Sequence, residues 1–230
     1  MASPIPVAIV LFEGIDVLDF NGPLEILSNA SYTGADAINP DLAFDVKLVA
    51  ASEVVHSRRN HRYIRDYSFE EATSRLDEFR ILVVPGGSPS ILLPLLRAAS
   101  PELEFVKRFL NHPNSTSPAR TIFSVCTGAL FLAAAGALAD MTATTHHTCF
   151  DMLREMGEDP ACGKINVVKA RYVDGGRCKT GVRVLTAGGV SSGLDAACYL
   201  VSTEVSQEAA DRIAAVVEYD WRREPEQMVI

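Results

Sequence analysis

The residues best suited to chemistry stand in T-I-F-S-V-C-T-G-A-L-F-L-A-A-A-G, which starts at Thr121 and centres on Cys126. An apolar strand runs straight into Cys126, and Gly128 and Ala129 follow as small neighbours. This is the pattern of a nucleophile elbow, a tight strand-to-helix turn that pushes one side chain out of a sheet at a helix N-terminus. Such a terminus carries partial positive charge and free N–H donors, which lower a thiol's pKa and hold anions. Cys126 is therefore expected to be a nucleophilic thiolate. Outside an elbow it would read as a small buried hydrophobe, the usual fate of a free cysteine. Thr127 is a plain helix-start residue or, through its backbone N–H, one half of an oxyanion hole completed by Gly87, and Gly128 is expected beside them as a substrate- or oxyanion-binding position.

Other candidates carry less. Cys149 sits near a helix start, and Cys162, Cys178 and Cys198 read as structural. His146 and His147 are adjacent, point in different directions and have no further ligands at metal-binding spacing, so they read as pocket or interface residues. Asp195, in S-S-G-L-D, reads as a helix cap or brace. Gly86-Gly87 and Gly188-Gly189 are strand-ending turns where backbone can approach a ligand closely.

The elements that must position these residues alternate. Short apolar runs at Val7 to Phe12, Phe44 to Ala50, Ile81 to Pro85, Thr121 to Val125 and Val182 to Ala187 read as buried strands. Arg62 to Tyr67 reads as a short connecting strand. Helices are expected after Asp19, with Pro23 in the first turn, and at Phe69 to Leu76, Glu102 to Leu110, Gly128 to Ala135, Phe150 to Met156, Ser191 to Ser202 and Gln207 to Tyr219. His112 to Pro118 is a polar surface loop, and D-G-G within Val167 to Thr180 reads as a hairpin. The order predicts one α/β domain over 1–230, with a mostly parallel sheet and helices on both faces. In such a sheet the ligand crevice lies beyond the strand carboxyl ends. Glu13-Gly14, Gly86-Gly87, Cys126-Thr127 and Gly188-Gly189 would gather there.

The chain has 230 residues, 48% hydrophobic and 22% charged, enough to bury a full core. A net charge of −8 argues against nucleic acid or an anionic membrane as the main partner. Five cysteines without C-x-x-C spacing form neither a disulfide framework nor a zinc site, and they fit a reducing compartment. The N-terminus reads as a first strand and not a leader, and Phe123 to Leu138 is too short and mixed to span a membrane. The expectation is a soluble cytoplasmic protein acting on a small molecule, with no metal and no organic cofactor: G-G-V-S-S-G matches no dinucleotide fingerprint, and no P-loop, flavin or pyridoxal motif is visible.

The motifs also resemble a family. S-V-C-T-G-A followed by G-A-L-A-D-M-T-A-T-T-H-H is similar to the ThiJ/PfpI superfamily. E-G-I-D-V-L-D-F-N-G-P-L-E, V-V-P-G-G and T-A-G-G-V-S-S-G-L-D-A-A occur in the matching order across almost the whole chain. The resemblance implies a class I glutamine amidotransferase-like fold, that is, a flavodoxin-like three-layer sandwich, and a homodimer. It places the family's cysteine on Cys126, the residue after it on Thr127, the acid of L-D-x-x-G-P on Asp19, and backbone donors facing the thiolate on Gly86 and Gly87. The branch most resembled is isonitrile hydratase, with the related domain of AraC-type regulators. The chain ends at Ile230, leaving no room for the regulators' helix-turn-helix pair. Thr127 replaces the His of the peptidase and chaperone-like branches. His146-His147 stands where relatives have His-Trp, so His147 is expected on the pocket wall.

Asp19 then has two readings, helix N-cap or functional acid. Beside Cys126 the two cannot easily both be anionic, so a protonated Asp19 next to a thiolate is expected. The implied reaction is cofactor-free hydration of an isonitrile to an N-substituted formamide. Rival readings are a glyoxalase-like enzyme using Glu13 as base, a redox-sensing or ligand-binding protein, and a secondary-metabolite enzyme on the same scaffold.

Overall fold

The computed structural model describes residues 3–34, 41–113, 119–160 and 162–223. The run Ile5–Val10 (β1) is buried on both faces because parallel partners flank it, β2 (Phe44–Ala50) on one side and β6 (Ile81–Val84) on the other. β6 pairs with β7 (Thr121–Ser124), β7 with β11 (Arg183–Ala187), and β5 (Tyr67–Ser68) closes the far edge, all parallel. Only β10 (Tyr172–Arg177) runs antiparallel, giving the order β10-β11-β7-β6-β1-β2-β5. Two small pairs stand apart, β3 (Val54–His56) with β4 (Arg62–Ile64), and β8 (Met141–Ala143) with β9 (Ile165–Val167).

Helices form two packed groups. α1 (Val17–Asn29), α7 (Ser192–Glu204) and α8 (Gln207–Val216) pack on one another; α2 (Phe69–Ser74), α3 (Pro89–Arg97), α4 (Pro101–Asn111), α5 (Ala129–Ala134) and α6 (Phe150–Met156) form the second group. This is the flavodoxin-like three-layer arrangement expected. Its core is the sheet's aliphatic strands plus Phe20, Phe105, Phe109, Phe123 and Phe131, all buried. No helix among the described residues is long and apolar enough to cross a membrane.

Three local readings change. D-G-G is not the hairpin turn: Asp174, Gly175 and Gly176 lie inside β10 at a bulge, with Gly176 at φ +79, and the chain turns instead over residues 178–181. A glycine in the left-handed region serves a turn and a bulge equally, so local sequence does not separate them. The Arg62 to Tyr67 strand splits into β4 and β5, with the Asp66 carboxylate accepting the Leu48 N–H at 2.7 Å. α3 was hidden by its prolines: Pro89 fits the first turn, and Pro94 forfeits one bond inside the helix. Residues 114–118 of the expected polar loop lie outside the described residues.

Asp195 is the brace expected. It is fully buried on α7; Oδ2 takes Arg171 Nε at 2.7 Å and Nη2 at 2.5 Å, and Oδ1 accepts from Tyr219 OH and Arg222 N. One carboxylate thus ties α7 to the segment after α8. Replacing it with alanine leaves the Arg171 charge uncompensated in a largely buried position. Asp195→Ala is expected to lose about 3 kcal/mol or more of stability, read by urea unfolding.

Candidate active site

All four strand-ending motifs meet on one rim. Asp16 N–H donates to Gly86 O at 3.0 Å, Ile15 bridges Gly87, and Cys126 N–H donates to Gly188 O at 2.8 Å. They surround a small polar depression of about 190 Å³, whose wall includes Cys126, Thr127, Gly87, Val190, His146 and Arg58.

Cys126 sits at φ +58, a strained position for a residue with a side chain. The surroundings over-determine it. Its N–H is bound by Gly188, its carbonyl accepts from Thr145 Oγ1 at 2.8 Å, and the one-turn 3₁₀ helix Cys126–Gly128 follows. Gly128 allows this turn to press against β6, since a Cβ there would stand 2.0 Å from Val84 O. Its role is backbone approach, and it is absent from the pocket wall, contrary to the ligand-binding role expected of it.

Asp19 is not the cap of α1. Asp16 is, its Oδ1 accepting from Leu18 N at 3.1 Å. Asp19 lies three residues later, in the first turn of the helix, fully buried, with Oδ2 accepting the Gly86 N–H at 3.1 Å and its carboxyl hydrogen-bonded to the Cys126 side chain. Oδ1 has no protein partner. Burial, helped by the charge of Asp16, pushes Asp19 up to about 7, against the pull of Cys126 and the Gly86 N–H. Burial and then the charge of Asp19 push the Cys126 thiol up as well, although the N–H groups of Thr127 and Val190 point at its sulfur. The expected lowering by a helix start therefore does not prevail. α5 is only six residues long behind a 3₁₀ turn, and the site is dry. Each group opposes ionisation of the other, and the carboxyl, raised to about 7, gives up its proton before the more strongly raised thiol, the reverse of the protonated Asp19 beside a thiolate expected from the sequence.

The other candidates separate. Gly86 is where a Cβ would meet Thr127 Oγ1 at 2.4 Å and Asp19 Oδ2 at 3.0 Å, so only glycine fits. The N–H groups of Gly86 and Gly87 do not face the sulfur: Gly86 serves Asp19, and Gly87 donates to Thr127 Oγ1 at 2.9 Å, which in turn donates to Gly87 O at 2.7 Å. The donors on the sulfur are Thr127 and Val190. Val190 has φ +38 and follows Gly188-Gly189; that glycine pair, read as a strand end where backbone can approach a ligand, was the available signal, but Val190 itself was not singled out. His147 is exposed, and it is His146 that lines the pocket, packed over Gly189. Thr148 N–H donates to His146 Nδ1 at 3.3 Å, which assigns the ring proton to Nε2, and burial lowers the pKa of this imidazole. Glu13 is turned outward, pairing with His56 Nδ1 at 3.4 Å and accepting from His56 N. The acid at the thiol is Asp19.

Comparison with known proteins agrees with this fold. The DJ-1/PfpI family model matches residues 6–203. The isonitrile hydratase of Pseudomonas putida is 29% identical over 213 residues, 93% of this chain and 78% of that protein. The crystal structure of a ThiJ/PfpI family protein from Pseudomonas syringae superposes with a TM-score of 0.73 at 25% identity, covering 96% of this chain and 77% of that one. Schizosaccharomyces pombe DJ-1 shares the fold, with a TM-score of 0.68 at 18% identity, covering 93% of this chain and 98% of that one.

The buried carboxyl carries a stability cost with a defined sign. Below the ordinary carboxyl value of 3.8 both folded and unfolded states are protonated and the cost is absent. As pH rises towards about 7 the unfolded chain releases the proton first, so stability falls, on the order of 4 kcal/mol in all, and levels off above. Asp19→Asn is expected to flatten that slope, read by urea midpoints between pH 4 and 8.

Proposed function

The chain belongs to the DJ-1/PfpI family, and on that footing we propose that it is a hydratase that converts isonitriles to N-substituted formamides with Cys126 as nucleophile and Asp19 as acid and base. The observation that carries the reading is the acid paired with the thiol. It is Asp19, buried and pushed up to about 7, while Glu13 is outside the site. The glyoxalase-like alternative rested on Glu13 and loses its base.

The single proton of the coupled pair moves along the Cys126–Asp19 hydrogen bond. With the proton on Asp19, the sulfur is a thiolate held by Thr127 and Val190 N–H. The thiolate attacks the terminal isonitrile carbon, Asp19 delivers its proton to that carbon, and a thioimidate forms on Cys126. Asp19, now ionised, takes a proton from water as its oxygen adds to the same carbon. Asp19 passes that proton to the nitrogen, then takes the hydroxyl proton of the adduct as the C=O forms and the C–S bond breaks, so that formamide leaves with the thiolate and protonated Asp19 restored. One water is consumed, and nothing is oxidised or reduced. Asp19 Oδ1, which has no protein partner, supplies the acceptor this water needs. Thr127 locks the Gly87 turn through paired bonds and presents its N–H to the sulfur.

Purified protein given an aryl or alkyl isonitrile is expected to produce the formamide. Cys126→Ala should lose turnover about a thousandfold or more, and Asp19→Asn about a hundredfold or more. The rate should rise with pH through about 7, as the doubly protonated pair gives way to the singly protonated one, and then hold. Absence of turnover with the thiol shown reduced sinks the reading for simple isonitriles; methylglyoxal and peroxide titration of the same sample then separate aldehyde chemistry from redox sensing. The chain is expected to form a homodimer, which light scattering on the eluting protein checks.

A further inference from the structure

We propose that the site selects small substrates bearing a negatively charged substituent, and that Arg58 is the residue that holds that charge. The substrate class rests on the hydratase reading above; the anion preference of the pocket does not.

The argument starts from the distribution of charge. The chain is acidic overall, yet four arginines, Arg58, Arg59, Arg62 and Arg65, fall within eight residues on the β3–β4 hairpin. That hairpin is fixed to the site by backbone. Ile15 bridges Ser57 on one side and Gly87 on the other, and Arg58 N–H donates to Ile15 O at 3.2 Å. Arg58 is the hairpin arginine on the wall of the pocket that contains Cys126. Its guanidinium has no ion pair or side-chain hydrogen bond among the described residues, whereas Arg65 is bound to the carbonyls of Ala50 and Ala51. An exposed planar fork of donors with no protein partner, at the mouth of a small pocket, matches a carboxylate or another oxyanion.

The charges that face it are accounted for. Asp16 lines the same wall as an acceptor whose Oδ1 is committed to the cap of α1. His146 accepts at Nδ1 and is held towards its neutral form by burial. The Asp19–Cys126 pair lies beneath, buried. A substrate with its reacting carbon at Cys126 and an anionic group a few atoms away would fill the roughly 190 Å³ available and meet Arg58.

The test compares two alkylating reagents of nearly equal size, anionic iodoacetate and neutral iodoacetamide. In both, Cys126 Sγ displaces iodide while the shared proton remains on Asp19, and labelling of Cys126 is read by peptide mass spectrometry. The iodoacetate-to-iodoacetamide rate ratio is expected to fall roughly threefold to tenfold in Arg58→Gln, to be largely kept in Arg58→Lys, and to fall with added salt. Arg154→Gln removes one positive charge on α6 and controls for net charge. A ratio equal in Arg58→Gln and the unaltered protein, including the case in which neither reagent reaches Cys126, overturns the proposal. A second arm compares isocyanoacetate with its methyl ester: the unaltered enzyme should favour the acid, with the loss in Arg58→Gln appearing in KM. Failure of every isonitrile to turn over while the alkylation ratio still shifts would reject the hydratase reading and leave the anion preference standing.

Discussion

Two acids buried against each other, with room for only one negative charge, set the terms for everything around them. Asp19 and Cys126 come from chain positions more than one hundred residues apart, one on the first turn of α1 and the other at the end of β7. Neither has enough solvent to ionise cheaply, and ionisation of either opposes ionisation of the other. On the hydratase reading, moving one proton along the hydrogen bond between them makes a thiolate and an acid of the pair.

The scaffold is arranged to keep this pair in place at a cost. Cys126 is held at a positive φ by bonds from Gly188, Thr145 and the turn through Gly128. Gly86 and Gly128 are glycines because backbone and side-chain atoms occupy the space a Cβ would need. Thr127 and the Gly87 backbone exchange two hydrogen bonds and so fix the turn that feeds Gly86 N–H to Asp19. Asp195 shows the opposite treatment of a buried carboxylate, with Arg171, Tyr219 and Arg222 taking both of its oxygens. Asp19 Oδ1 has no hydrogen-bond partner in the protein.

The local parts of this site were legible in the residues themselves. The elbow at Cys126 is contiguous: an apolar strand, a cysteine, and small residues behind it. The four strand-ending motifs were legible for the same reason, since turn chemistry is local and a parallel sheet sends its carboxyl ends to one rim. Asp19 was legible only through the L-D-F-N-G-P motif, because an aspartate at a helix start has the same local pattern whether it caps or titrates. Asp16 took the capping role three residues earlier. D-G-G misled because bulge and turn ask the same thing of glycine.

Sequence alone thus determined the parallel α/β scaffold and the cysteine at the elbow, both of which follow from periodicity and contiguous spacing. Tertiary structure decided which acid meets the thiol, which histidine faces the pocket, which N–H groups point at the sulfur, and which arginine stands free beside them. Asp19, His146, Val190 and Arg58 are brought to Cys126 from separate parts of the chain. It also reversed the expected effect on the thiol. The pull of a helix start is written in the sequence, but the dryness that outweighs it exists only once the layers have packed.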